Sequence, residues 1–497
     1  MTKATLTPPQ KKQLAAVRKL IKSANHQEFK QGLALLNSID DPSLWSVFSE
    51  GIETLLLAKY ARIWSRNVEP EVVELVVREG EIQKRVKAAN RFCIALYAYV
   101  ASGRLSGVTH FRIAEETALN DVSPLSKLTD LVYLSLLCHA PSPNTALTEL
   151  PDLSALQKLE VVRIRQHLQL VDLRGLAGLT GLKELSLDGC TDVEDLSPLS
   201  SLTSLESLTL SNDQDLYSWL SRNKLTTSAA FAAGRGPGLE KLVDLGPLSS
   251  LSSLRTLTLD RCNAVTDLSP LSSLSSLRKL RLSRCSKLEE FSPLSSLSSL
   301  ESLEIEPGDW DKHFKRNHGS MALQSLAGLG LKRLVLSGCR GLSDLSPLSS
   351  LSSLEHLDLS LCTKVLTLDA LKTLLGLRVL SLANCRVTTV HALRDLKQLE
   401  SLDLQGCQSL KHLEGLEGLS SLQTLRLNGC TSLRKVRHLE RLPALAELDL
   451  RGCSSLKSLA GLEKIPSLRV LNLGYKFPVW VPKELRERPD LKILESA

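Results

Sequence analysis

The chain of 497 residues predicts an α/β solenoid: a stack of short parallel strands forming a concave β-sheet, closed at its N-terminal end by an all-helical cap. Three observations predict it. A frame of leucines ending in a cysteine recurs mostly at steps of 22 or 23 residues, and a second leucine pattern of period three fills the space between copies. Leucine must also carry the burial, because a chain that is 43% hydrophobic has only 4% aromatic residues. A single globular core stops growing well below this length, whereas a stack of repeats has no such limit.

The N-terminal element, residues 1–115, is expected to be the helical cap. Pro8 and Pro9, Asp41-Pro42 and Glu69-Pro70 read as helix starts within residues 8–104. Trp45, Tyr60, Trp64 and Phe92 supply a bundle core that would shield the first leucine layer from water. Lys11, Lys12, Arg18, Lys19 and Lys22 alternate with Leu14, Val17, Leu20 and Ile21, a basic amphipathic helix read as a solvated face over a packed one. Residues 1–120 hold 17 Lys or Arg against 12 Asp or Glu, most of the net charge of +7. This is a weak form of the basic face that nucleic-acid binding requires. Met1–Lys22 contains six Lys or Arg and no apolar run fit for a signal-peptide core, so a cytoplasmic location is expected, with signal-less export as an effector left open. Eleven cysteines, an odd count without such a segment, are read as free thiols.

The solenoid is expected over residues 116–476, with about 14 repeats. Its frame is Leu182-x-x-Leu185-x-Leu187-x-x-Cys190, repeated to end at Cys262, Cys285, Cys339, Cys362, Cys385, Cys407, Cys430 and Cys453; degenerate copies end at His139, His167, Asp213, Gly308 and Lys476. Between strands, Asp267-Leu268-Ser269-Pro270-Leu271 and the leucines at 274 and 277 recur every third residue, which suits 3₁₀ turns better than an α-helix. Burying a leucine contributes about 1.5–3 kcal/mol, and seven or so per repeat barely exceed the ordering entropy, so each repeat needs its neighbours.

This frame resembles the leucine-rich-repeat family, and the Asp-Leu-Ser-Pro-Leu return segment resembles its short, internalin-type repeats. The resemblance implies a horseshoe-shaped solenoid. In that family the residue after the strand is usually an Asn that bonds the turn backbone; here it is mostly cysteine, a weaker donor but a small, easily buried group. Nine of the eleven cysteines hold this position, which points to packed structural thiols. Neighbouring thiols are one strand apart, within disulfide range, so compartment and not geometry argues for their reduced state.

Two insertions interrupt the rhythm, near 214–240 and 309–322, both leaving just after a strand and so on one rim. The first carries Tyr217 and Trp219, the second Trp310, Phe314 and Arg316. Residues 477–497 are expected to form a C-terminal cap, with Trp480 covering the last leucines and a helix-like stretch from Pro482 to Leu494.

Catalytic motifs are missing: there is no Walker loop, His-Glu-x-x-His, Gly-x-Ser-x-Gly or Cys-x-x-Cys. Cys93 with His110 is the one thiol-and-base pairing to weigh, and its apolar surroundings read as a buried inert cysteine. Gly234-x-Gly236-x-Gly238 lacks the Lys that grips a phosphate, and Asp309, Asp311, His313 and His318 are a poor metal set; no enzyme activity, cofactor or metal is expected. Strand alternation instead turns Asp260, Arg261, Lys279, Arg281, Arg284, Glu304, Glu306 and Arg333 outward, a locally basic centre. The expectation is a non-catalytic scaffold binding a protein or peptide, with an acidic or phosphorylated surface, through the concave face and rim insertions. The expected partner-binding residues are Tyr217, Trp219, Arg261, Lys279, Arg281, Arg284, Trp310, Phe314, Arg316 and Arg333. A regulatory subunit of an enzyme such as a phosphatase, and nucleic-acid binding through the central basic strands, are the alternatives.

Overall fold

The structure, a computed structural model, describes residues 12, 15, 16, 62–63, 72–76, 107–114, 122–137, 147–212, 239–288, 290–306, 323–475 and 477–495. The chain divides into two compact units, Met1–Leu254 and Arg255–Ala497.

In the first unit, β1 (Arg62–Ile63) runs antiparallel to β2 (Val72–Val76). A parallel ladder then continues through β3 (His110–Ala114), β4 (Tyr133–Leu137), β5 (Val161–Arg165), β6 (Glu184–Asp188) and β7 (Ser207–Ser211). Registration is by leucine position: Phe111 lies opposite Leu134, Leu134 opposite Val162, Val162 opposite Leu185 and Leu185 opposite Leu208. All five are buried. A one-residue slip would turn each to the solvent face, which is why the register is so strongly specified.

The helix expected after Glu69-Pro70 is corrected by β2, where Val73 pairs with Phe111 and Leu75 with Ile113. Valines on both sides of Glu74-Leu75 suit a pleated ladder, and a proline signal serves the start of a strand as well as that of a helix. Within the expected all-helical cap of residues 1–115, Lys12, Ala15 and Ala16 are helical, whereas β1, β2 and β3 are strands; the remainder, apart from residues 107–109, lies outside the described residues.

The second unit holds β8 (Thr256–Asp260), β9 (Lys279–Ser283), β10 (Ser302–Glu306), β11 (Arg333–Val335), β12 (His356–Asp358), β13 (Val379–Ser381), β14 (Ser401–Asp403), β15 (Thr424–Arg426), β16 (Glu447–Asp449), β17 (Val470–Asn472) and β18 (Lys492–Leu494). Each is parallel to the next and in register. The last of them lies within the expected C-terminal cap and adds a layer beyond the final cysteine repeat.

Return segments are 3₁₀ turns, as their period of three implies: Ser197–Ser201, Gly246–Ser250, Ser269–Ser273, Ser292–Ser296 and Ser346–Ser350. Each residue type has a task. The carboxylates of Asp195, Asp267 and Asp344 accept the backbone N–H of Ser197, Ser269 and Ser346 at 2.7–2.8 Å. The hydroxyl and N–H of Ser269 hold the Asp267 carboxyl below the usual carboxylate range, and the N–H and hydroxyl of Ser346 do the same for Asp344. Proline presets the backbone and brings no orphan donor. The paired serines return their hydroxyls to carbonyls three residues back, as Ser272 does to Ser269 and Ser273 to Pro270. Some repeats replace this segment by glycine; at Gly418 a Cβ would stand 2.0 Å from the carbonyl oxygen of Arg394, so adjacent turns meet there backbone to backbone.

The ladder position is a hydrogen-bonding device. The thiols of Cys362, Cys385, Cys407, Cys430 and Cys453 each donate, at 3.1 Å, to a leucine carbonyl of the preceding repeat: Leu336, Leu359, Leu382, Leu404 and Leu427. Those same carbonyls also accept the N–H of their own repeat's cysteine, as Cys407 N–H to Leu404 shows. Burial pushes the thiols up, Cys385 to about 11 and Cys430 and Cys453 to about 12, so they stay protonated donors.

At the C-terminal end the tryptophan expectation is corrected. Trp480 is 81% exposed, while Val481 and Leu485, the latter on a one-turn α-helix (Lys483–Arg486), are buried. Outside the core, the Trp480 ring lies under the guanidinium of Arg486, 5.9 Å from its centroid. Among the described residues no helix is long and apolar enough to cross a membrane.

Candidate functional site

With leucines committed to one side of each strand, the other side is a face of polar side chains, and register decides which of them meet. On β9 to β11, Lys279 and Arg333 both stand opposite Ser302, one on either side, while Arg281 stands opposite Glu304. Lys279 and Arg333 are therefore about 10 Å apart, two strand separations. Both are exposed.

Arg281 is the centre of a network. Its guanidinium meets the Glu304 carboxylate at 2.5 Å and that of Glu306 at 2.9 Å, and its Nε donates to Ser283 Oγ at 3.2 Å. Ser283 Oγ in turn donates to Glu306 at 2.9 Å. Arg281 keeps 44% of its side chain exposed, against 19% for Glu304. Burial pushes the Glu304 carboxyl up, Arg281 opposes that shift and Glu306 adds to it. Beside this network Arg284 is bound to the nearly buried Asp260 at 2.8 Å. Arg261 and Arg284 occupy the turn residue before the ladder cysteine, with left-handed φ of 57° and 55°.

The centre read from sequence as locally basic is thus largely neutralised. Alternation places Glu304, Glu306 and Asp260 on the same face as the arginines, and in-register stacking brings them into contact. The sequence shows the charges but not which of them pair.

Reading the residues also missed a second cluster, on the first unit. The His110 and Tyr133 rings stack at 5.7 Å between centroids, and the Arg163 guanidinium lies 5.7 Å from the Tyr133 centroid. Arg163 Nε donates to Glu184 at 2.7 Å, a bond that raises the Arg163 pKa. The four side chains come from β3, β4, β5 and β6, so the cluster crosses the sheet at right angles to the chain. Its signal was available: rings at His110 and Tyr133 stand 23 residues apart, one repeat step.

A third feature lies on the residues just before the strands, where charges alternate from repeat to repeat. Arg278 and Lys332 both pair with Glu301, and Arg378 pairs with Glu400. An open groove of about 490 Å³ is lined there by Ser352, Ser353, Glu355, Arg378, Gln398 and Glu400.

Tyr217, Trp219, Trp310, Phe314 and Arg316 lie outside the described residues, as do Cys93 and the Asp309–His318 segment. Among the described residues no group of three or more His, Cys, Asp or Glu side chains is placed to hold a metal ion.

No protein-family model matches the sequence, and no curated protein matches it. Among solved structures, a leucine-rich-repeat protein of Leptospira interrogans matches with a TM-score of 0.50 at 18% identity, over 79% of this chain and 91% of its own. An internalin of Listeria monocytogenes matches with a TM-score of 0.46 at 21% identity, over 90% and 99%. The functional domain of InlJ from Listeria monocytogenes, which includes a cysteine ladder, gives 0.41 at 18%, over 74% and 75%. The fold is a leucine-rich-repeat solenoid. Cysteine occupies its ladder position.

Proposed function

We propose that the chain is a non-catalytic recognition scaffold that takes a protein or peptide partner on the polar face of the second unit's sheet, around Lys279, Arg281, Arg284 and Arg333. The observation that carries this reading is the Arg281 network. A half-exposed guanidinium held by two carboxylates and a serine has lost most of its rotamer entropy before any partner arrives, and preorganised arginines are the anchors that interfaces favour. Arg261, Tyr217, Trp219, Trp310, Phe314 and Arg316 would extend the contact from the neighbouring turn and the insertions.

The carboxylates shape the partner's chemistry. A face for nucleic acid neutralises phosphates with uncommitted cations, whereas here Asp260, Glu304 and Glu306 already hold Arg281 and Arg284. A partner surface of mixed sign fits better. Its acidic or phosphorylated group would meet Lys279 and Arg333, and its donors Glu304 and Glu306.

The test is affinity capture with the full chain, then quantitative binding of the captured partner. Arg281→Ala should weaken binding about thirtyfold, roughly 2 kcal/mol, in a chain that circular dichroism shows still folded, and Arg281→Lys should recover only part of it. Asp449→Ala, on β16, should change little. Equal and negligible effects of the substitutions would move the binding surface elsewhere and sink the reading, and steep salt dependence on DNA or RNA would replace it. Whether the partner is itself an enzyme, such as a phosphatase, is decided by the captured chain.

A further inference from the structure

Cys285 departs from the other ladder cysteines. Eight of the nine are buried, while Cys285 is part-exposed. Its thiol reaches the Leu259 and Ser283 carbonyls at 3.4 Å, longer than the 3.1 Å of the five thiols from Cys362 to Cys453. Its neighbour on the ladder is Cys262, buried in the preceding repeat. Asp260 stands opposite Ser283 in the β8–β9 register, so two residues later the cysteines are side by side, about 5 Å apart at Cα and within the range a disulfide spans.

We propose that Cys262 and Cys285 form a thiol modification site that low-molecular-weight disulfides oxidise to an intrachain disulfide, with Cys285 as the entry thiol and Cys262 as the resolving one. The Cys285 thiolate attacks one sulfur of a glutathione disulfide, forming a mixed disulfide and releasing the first glutathione. Cys262 then attacks the Cys285 sulfur and releases the second. Two protein thiols become one disulfide, one glutathione disulfide becomes two thiols, and the two protons end on the released glutathiones.

The order follows from access. Burial keeps the other ladder thiols out of reach, whereas Cys285 is part-exposed. Cys262 is buried, so the sulfur within its reach is the one beside it on Cys285. The finished bridge would tie together the two turns that present Arg261 and Arg284.

The experiment exposes the full-length folded chain to oxidised glutathione, blocks free thiols with iodoacetamide under native conditions, and maps the cysteine peptides by mass spectrometry. Cys285 should react roughly tenfold or more faster than any buried ladder thiol, and its mixed disulfide should give way to a peptide pair joined through Cys262 and Cys285, two hydrogens lighter than the free pair. In Cys262→Ala the reaction should stop at the mixed disulfide. In Cys285→Ser, a part-exposed change that the fold should tolerate, Cys262 should stay reduced. The proposal is overturned if Cys285 reacts no faster than Cys407, if its mixed disulfide persists in the wild-type chain, or if Cys262 is oxidised equally fast in Cys285→Ser.

Discussion

The repeats ending on β8 and β9 and those ending on β12 to β16 use one frame to different ends. In the later repeats the strand is three residues long and the thiol closes on a leucine carbonyl at 3.1 Å. The turn residue before the cysteine is Gly406, Gly429 or Gly452 in three of them. In the earlier pair the strand is five residues long, the turn residue is Arg261 or Arg284 at positive φ, and the thiol contacts are looser. An arginine in the left-handed region costs about 1 kcal/mol or more that glycine does not. The difference teaches that stacking is optimised where the face is plain. It is relaxed where the face carries its densest charge network.

The largest expected effect comes from a third occupant of the ladder position, His167. Its ring is wholly buried, neither nitrogen has a hydrogen-bond partner among the described residues, and burial pushes its pKa down to about 4. The unfolded chain takes up this proton below about pH 6.5 and the folded chain only near 4. Stability from this residue is therefore complete above pH 6.5 and is lost as pH falls toward 4, by about 3 kcal/mol at most. Replacing it by the usual occupant, His167→Cys, should flatten the difference in urea stability between pH 7 and pH 4.5. An unchanged slope would show that the ring is not buried neutral.

The comparison itself is broken or sharpened by removing thiols. Cys407→Ala should lower stability by about 1–2 kcal/mol, through lost packing and a leucine carbonyl deprived of its thiol donor. Cys339→Ala, whose thiol stands 3.9 Å from the Ile305 carbonyl, should lose less. Equal losses in chemical denaturation would mean that the thiols act by volume alone.

Smaller still is the exchange at the turn. Gly452→Ala should destabilise by about 1 kcal/mol, because φ is 70° there. Arg284→Gly relieves the left-handed cost but strips the nearly buried Asp260 of its ion partner, so it should destabilise by about as much, roughly 1 kcal/mol. A gain in stability in urea denaturation would show that Arg284 is displayed by its turn and is not a structural residue of it.

Leucine spacing alone determined the solenoid, its strands, its 3₁₀ return turns and the ladder of buried thiols, because burying a leucine every third residue and on alternate strand positions admits few other arrangements. The same spacing pointed to outward residues such as Lys279, Arg281 and Arg333. The strand at Val72–Val76 escaped because its repeat lacks the leucine frame, and Trp480 was misplaced because a large apolar ring does not by itself say which side of a turn it takes. Only the stacked structure decided that Arg281 belongs to Glu304 and Glu306, that Tyr133 lies between His110 and Arg163, and that Cys285 alone among nine ladder thiols meets solvent. These are contacts between residues some 23 positions or more apart, and a sequence names the members of such a pair without the distance that makes them one.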